Sequence, residues 1–379
     1  MTKIFVTGIT GLVGSAFAVS LLRERKDMEI VALARGSAIQ NAMERTEEII
    51  REQCKYDDCP EVADEVISRM SVIEGDIVHF DYKDEAVKDV ISDCDIIFHC
   101  AADVNLGKDP EGKTFKINYD GTQNMLDFAK HIDVKEFHYV STAFIAGCLN
   151  GVAYEDKPVD NGFFNSYEKS KFMAEQLVRN SGIPFSVYRP AIVTGRLRDG
   201  KTRKPLAFYR VLEFVAKVKK HICTKNNLDA AEFAPLSFRF ETYPAERVYF
   251  SPIDFISDSI VKIFQLPVQN KAYHLTGARP PSAPEIAQAM QESLKVADVK
   301  VVSVANNKTK EEKLINKFLG DLLPYFSSRI EFDQTNVREA LGEDAINWHY
   351  DVPLLNVMIK EYYRHFFPNV EWLQKISSE

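Results

Sequence analysis

Three glycines spaced three apart near the start of the chain constrain its fold most. Lys3 to Val6 are mostly apolar and suit a short buried parallel strand. They run straight into Thr7-Gly8-Ile9-Thr10-Gly11-Leu12-Val13-Gly14, and the amphipathic run Leu12 to Arg25 that follows predicts a helix. In such a strand–loop–helix unit each glycine has a mechanical job. Gly8 allows the tight turn, Gly11 lets backbone approach a pyrophosphate, and Gly14 packs helix on strand. The helix N-terminus offers free N–H groups and a partial positive charge, which stabilise a phosphate. Thr7, Gly8, Thr10, Gly11, Leu12, Val13 and Gly14 are therefore expected to hold a dinucleotide.

At 379 residues, with 45% apolar and 27% charged content, the chain can bury a large core as one big α/β domain or two joined ones. A net charge of −8 and the lack of a long Lys/Arg stripe argue against a nucleic-acid partner. No apolar run reaches the roughly 18 residues of a membrane helix, so no integral membrane segment is expected. The N-terminus enters a strand at once, which leaves no room for a signal peptide. Of the six cysteines, Cys54 and Cys59 lack the second half of a zinc pattern, and Cys94, Cys100 and Cys148 fall in or beside expected strands. All six are read as reduced thiols of a cytoplasmic protein without a metal.

Glu29 to Arg35 is the second expected strand. An acid at its end would hold a ribose 2′-hydroxyl, but the chain places Arg35 there instead. A guanidinium suits a 2′-phosphate, so NADP(H) is expected ahead of NAD(H). Arg45, on the expected helix Ala38 to Cys54, adds a second positive charge. Met70 to Asp76 reads as the third strand, closing on Gly75-Asp76-Ile77, and Asp95 to Ala102 as the fourth. The small Ala101 and Ala102 let backbone approach a cofactor at the strand end where open α/β sheets bind ligands.

Glu136 to Ala143, the fifth strand, delivers Ser141 and Thr142 at its end; a helix from Ser166 to about Ser181 follows. Tyr167 and Lys171 are four apart and share one helical face, whereas Lys169 faces elsewhere. A phenol titrating near 10 is a poor base at neutral pH, and a nearby ammonium lowers that value. Such a tyrosine can exchange a proton with a substrate oxygen, and a hydroxyl from Thr142 would hold that oxygen in place. Pro184 to Val193, carrying Arg189-Pro190, is the sixth strand.

The Thr-Gly-x-x-Gly-x-x-Gly spacing, followed in order by Asp76-Ile77, Ala101-Ala102, Asn118, Thr142, Tyr167, Lys171 and Arg189-Pro190, resembles the extended short-chain dehydrogenase/reductase family. The resemblance implies a Rossmann-type, doubly wound parallel sheet with a smaller, mostly helical C-terminal substrate lobe. It implies that Asp76 and Ile77 lie against the adenine, that Asn118 positions Lys171 through water, and that Pro190 sits at the cofactor where the chain turns toward the lobe. The family's active hydroxyl lies five residues before a glycine; Thr142 to Gly147 fits, while Ser141 is one residue early and on the other side of the strand. The expected division is residues 1–198 with 246–277 as the NADP-binding domain, and 199–245 with 278–379 as the substrate lobe. In that lobe Leu206 to Lys220 reads as helix and Cys223 to Tyr243 as irregular. Ala272 to Gly277 and Val299 to Ala305 read as strands, and Asp254 as a helix cap.

Three local features resemble the thioester-reductase and fatty-acyl-CoA-reductase branch: Leu33-Ala34-Arg35 with Arg45, the inserted helical segment 38–69, and Tyr139-Val140-Ser141-Thr142-Ala143. That branch reduces an acyl group carried on coenzyme A or a phosphopantetheine arm to an aldehyde or an alcohol. The substrate implied is thus a small-molecule acyl thioester, with an acyl carrier protein as a partner. The chain shows no adenylation or carrier domain of its own, so its acyl donor is expected from elsewhere. Alternatives on the same scaffold are a nucleotide-sugar epimerase or dehydratase, a sterol-type alcohol dehydrogenase, or a non-catalytic NADP sensor. The aromatic tail Leu354 to Trp372 is read as packing against the lobe, ahead of lying on a membrane or roofing a substrate channel.

Overall fold

The computed structural model describes residues 1–245 and 247–378, so Glu246, where the expected division falls, and Glu379 lie outside the described residues. The chain forms two compact units. The first comprises Met1–Ala191, Ile253–Leu275 and Phe332–Gly342, the second Ile192–Pro252, Thr276–Glu331 and Glu343–Glu379. The stretch Phe332–Gly342, expected in the lobe, packs with the first unit, where Asn336 donates to the Ala272 carbonyl and to Asp156.

The first unit is built on a seven-stranded sheet of β1 (Thr2–Thr7), β2 (Met28–Ala34), β3 (Met70–Glu74), β4 (Cys94–His99), β5 (Glu136–Val140), β6 (Phe185–Pro190) and β7 (Lys271–Leu275). Its order is β7-β6-β5-β4-β1-β2-β3, and every pairing is parallel. This is the doubly wound arrangement whose order reverses beside β1. Residues of β1, β4, β5 and β6 are buried on both faces, which is why they read as near-continuous apolar runs. Helices α1 (Leu12–Glu24), α2 (Ala42–Tyr56), α3 (Gly121–His131) and α4 (Ser166–Arg179) connect the strands. One apolar core, with Phe5, Ile97, Phe128, Phe137 and Val187 at its centre, fills the space beneath α3 and α4.

Strands end one to three residues before the expected limits, because Arg35, Asp76, Ala101 and Ala102 leave the ladder and enter the loops at the sheet's C-terminal edge. α2 begins at Ala42 rather than Ala38, since Asn41 and Glu44 cap it reciprocally. Asp254 lies inside the helix Ile253–Phe264 and accepts from the Phe255 N–H at 3.0 Å.

Within the second unit, strands Ala234–Glu241 and Val296–Val302 pair in parallel. The irregular stretch expected over 223–243 is thus the end of a helix, α5 (Phe208–Lys225), and one of these strands. The aromatic tail packs inward: Tyr362, Tyr363 and Trp372 are buried, and the Tyr363 hydroxyl donates to the Leu212 carbonyl at 2.8 Å. Among the described residues no helix is long and apolar enough to cross a membrane.

Candidate functional site

Two glycines of the loop, Gly8 and Gly14, have no room for a side chain. Gly8 has φ +76°, and a Cβ there would stand 2.6 Å from the Ala101 amide nitrogen. A Cβ on Gly14 would strike the Gly8 carbonyl, and the Gly11 N–H donates to that same carbonyl at 2.9 Å. α1 starts at Leu12 with no acid in its first turn and no side-chain cap, so its N-terminal N–H groups and positive dipole end suit a phosphate. Thr10 and Val13 are half-buried beside them. The Thr7 hydroxyl ties the loop to the β4 end: it accepts from the Cys100 and Ala101 N–H groups, each at 3.2 Å, and bonds His99 Nδ1 at 2.7 Å. This cradle, which a Cβ would fill, fits a dinucleotide.

At the end of β2 the Arg35 side chain is 66% exposed, and its guanidinium meets the Asp76 carboxylate at 3.4 Å. Arg45 donates to the Arg35 carbonyl at 2.9 Å, so both guanidinium groups stand at one strand end. Ile77 is buried under Gly121, the first residue of α3. Ala101 is half-buried, Ala102 exposed, and Pro190 buried at the end of β6.

Asn165 caps α4 by accepting from the Glu168 N–H at 3.0 Å, and so fixes where Tyr167 and Lys171 fall. Both are buried. The Thr142 hydroxyl lies near enough to the Tyr167 phenol to lower its pKa. Thr142 also donates to the Pro190 carbonyl at 3.3 Å and accepts from the Phe144 N–H at 3.3 Å. Ser141 is buried beside it, and its hydroxyl has no hydrogen-bond partner among the described residues. Lys171 donates to the Val140 carbonyl at 2.8 Å and lies 4.1 Å above the Tyr139 ring. Asn118 sits in a π-turn at Lys116–Asp120. Among the described residues its side-chain partners are the Asp103 backbone and Ser170 Oγ at 2.9 Å, so it reaches Lys171's neighbour in the chain.

Burial dominates the electrostatics. It pushes the Tyr167 phenol well above 10, against the nearby Thr142 hydroxyl that pulls it down. It pulls the Lys171 ammonium down to about 7, against the Cys100 and Glu175 charges that raise it. An ammonium that lowers the phenol, the expectation from spacing, is thus outweighed by desolvation of both groups. Lys171 binds a proton more readily unfolded than folded between about 7 and its ordinary 10.5, so its contribution to stability rises with pH across that window. Lys171→Met removes it. The melting temperature of the variant relative to wild type should therefore be highest near pH 6 and fall by pH 9; a flat difference would contradict the buried ammonium.

Two features were not anticipated from the sequence. His99 is a buried imidazole held between Thr7 and Thr122, and burial first, then the Lys171 charge, pulls it down to about 3. Glu175, four residues beyond Lys171 on the same buried face, pairs with Arg189 and Arg179. The i, i+4, i+8 spacing of Tyr167, Lys171 and Glu175 was the available signal. Among the described residues no cluster of three or more His, Cys, Asp or Glu could hold a metal.

Residues 6–260 match the NAD-binding family described as male sterility protein. The nonribosomal peptide synthetase asaC of Aspergillus flavus is 24% identical over 375 residues, covering 90% of this chain and 34% of that protein. The chain spans only part of such curated relatives: 26% of FrzA from a Cladobotryum species and 4% of a linear gramicidin synthase from Brevibacillus parabrevis. The terminal R domain of the myxalamid PKS-NRPS pathway superimposes with a TM-score of 0.75 at 23% identity, covering 97% of this chain and 92% of that one. An archaeal thiolation-reductase di-domain does so with a TM-score of 0.71 at 20% identity, covering 97% and 76%. The glycine cradle, the parallel sheet and the match over 6–260 place the chain in the NAD-binding male sterility protein family, a branch of the extended short-chain dehydrogenase/reductases.

Proposed function

We propose that the protein reduces an acyl thioester, carried on coenzyme A or a phosphopantetheine arm, to an aldehyde or alcohol in the cytoplasm, with NADPH as reductant. The observation that carries this reading is the burial of Tyr167 beside Thr142, with Lys171 one helical turn away, on the first unit that also bears the glycine cradle. The names of the R-domain relatives support the thioester as substrate.

Hydride at the carbonyl carbon is the chemistry a reduced nicotinamide supplies when bound. Residues Thr7 to Gly14, Ile77, Ala101, Ala102 and Pro190 would hold the dinucleotide, with Arg35 and Arg45 at its 2′-phosphate. Tyr167 directs its hydroxyl at the thioester oxygen as negative charge grows on it, and the Thr142 hydroxyl joins it by rotating its single proton away from the Pro190 carbonyl. Because burial keeps Tyr167 protonated at neutral pH, it is a proton donor, which suits reduction rather than alcohol oxidation. Tyr167 gives its proton to that oxygen; as the C–S bond then breaks, the new hydroxyl returns that proton to Tyr167 and the departing thiolate takes one from water, leaving aldehyde and free thiol. Asn118 holds Ser170, and through it the turn that carries Lys171.

The test is NADPH oxidation with a panel of acyl-coenzyme A thioesters, aldehydes and ketones. Turnover of a thioester with free thiol appearing in step is the expected result. Turnover of ketones or alcohols alone would move the protein to the dehydrogenase alternatives. For the cofactor, Arg35→Glu should weaken NADPH binding by about tenfold more than NADH binding, the scale of one lost charge-assisted contact. Equal loss for both, read by fluorescence titration, would remove the 2′-phosphate assignment.

A further inference from the structure

The two units carry opposite charge: the first has 24 Lys and Arg against 36 Asp and Glu, the second 23 against 19. In the second unit the positive charge is concentrated. α5 carries five Lys and Arg and one Glu, and Arg210, Lys217, Lys220, His221 and Lys225 are exposed along one face. Beside it lies α6 (Lys310–Leu319), whose exposed face presents Lys310, Lys313 and Lys317. The two helices meet where Phe214 packs 6.1 Å from Phe318 and Arg210 donates to the Phe318 carbonyl at 3.1 Å.

Two of these cations are neutralised locally, Lys217 by Glu213 and Arg210 by Asp321. Among the described residues Lys220, Lys225, Lys310 and Lys313 have no ion-pair partner. Amid them two large apolar side chains stand in solvent: Phe318 is 52% exposed and Leu314 41%. An apolar pair flanked by unneutralised lysines complements a surface with acidic residues around an apolar ridge.

We infer that this α5–α6 face docks the acidic carrier domain that delivers the thioester on its phosphopantetheine arm. The inference rests on the thioester reading above and adds to it which face receives the carrier. A carrier is favoured over a lipid surface because the apolar content is confined to the seam between two helices, whereas a helix lying in a bilayer needs a continuous apolar face.

The experiment uses the full chain, a free-standing bacterial holo acyl carrier protein as probe, and octanoyl groups carried either on that protein or on pantetheine, which has no phosphate. Lys220→Glu combined with Lys313→Glu changes only exposed side chains. The double variant should weaken carrier binding about tenfold or more and cut kcat/KM for the octanoyl carrier in parallel, while octanoyl-pantetheine turnover stays within about twofold. Lys83→Glu combined with Lys130→Glu, on the first unit, carries the same charge change and should leave both unaffected. Wild-type binding of the carrier should weaken with salt.

No carrier binding by wild type, equal loss in the control pair, or equal loss on both octanoyl substrates would overturn the docking face. So would lysine-dependent binding to phosphatidylserine vesicles without carrier binding. Carrier binding that depends on Lys220 and Lys313, with no turnover of either octanoyl substrate, would instead overturn the thioester reading and leave the docking face standing.

Discussion

Tyr167→Phe should lower kcat for thioester reduction by about 10³-fold, equivalent to roughly 4 kcal/mol of barrier, while the dissociation constant for NADPH changes less than about twofold. The change removes one hydroxyl and no carbon, so the α4 face keeps its packing. Thr142 keeps its bonds to the Pro190 carbonyl and the Phe144 N–H, and Lys171 keeps the Val140 carbonyl. What disappears is the donor proposed for the substrate oxygen. Thr142→Val should cost about 10²-fold, as one donor of an oxyanion site does. Ser141→Ala should cost less than about threefold, since its hydroxyl is enclosed without a partner and its removal leaves no donor or acceptor unpaired. Unchanged turnover in Tyr167→Phe, or a larger loss in Ser141→Ala than in Thr142→Val, would remove the mechanism.

The parts of this site that were legible in the sequence are those where local spacing has one physical solution. Glycines at 8, 11 and 14 can serve a strand–loop–helix unit because Cβ atoms at Gly8 and Gly14 have no space. Tyr167 and Lys171 share a face by helical geometry alone. Strand ends were less legible, because Arg35 and Ala101 continue the apolar pattern's neighbourhood while their backbone has already turned to the loop. The strand Ala234–Glu241 was present in the sequence as an alternation, with Ala234, Leu236, Phe238 and Phe240 buried and their neighbours outward. Its density of aromatic residues and Pro235 disguised that period. What sequence could not supply was pairing across distance. Arg35 meets Asp76 across 41 residues, and Arg189 on β6 meets Glu175 on α4 across 14 residues. Such pairs depend on which strand packs beneath which helix.

That buried pair is where the second large effect should lie. Glu175 is fully buried and accepts from Arg189 Nε at 3.0 Å and Nη2 at 2.5 Å, and from Arg179 Nε at 2.9 Å. His274 Nδ1 bonds the Asp333 carbonyl at 2.7 Å, which assigns the ring proton there and leaves Nε2 free to accept from Arg189 at 3.1 Å. Desolvation works against the Glu175 carboxylate, but the Arg189 and Arg179 charges overcome it and hold the group down at about 2. Its folded value lies below the unfolded one, so the stabilisation is complete above about pH 4.5 and lost as pH falls toward 2. Glu175→Gln leaves Arg189 buried without a counter-charge and should cost about 3–5 kcal/mol at pH 7, a drop of roughly 10 °C in melting temperature. Near pH 3 the difference from wild type should shrink. Glu175→Leu with Arg189→Met removes both charges and should recover most of the loss, because a buried pair replaced by apolar side chains is often neutral. The same carboxylate raises the Lys171 ammonium's pKa from one turn away, so Glu175→Gln should also lower it further below 7. Additive losses in the double variant would show that the two residues act independently, and the coupling of α4 to β6 would then have to come from elsewhere.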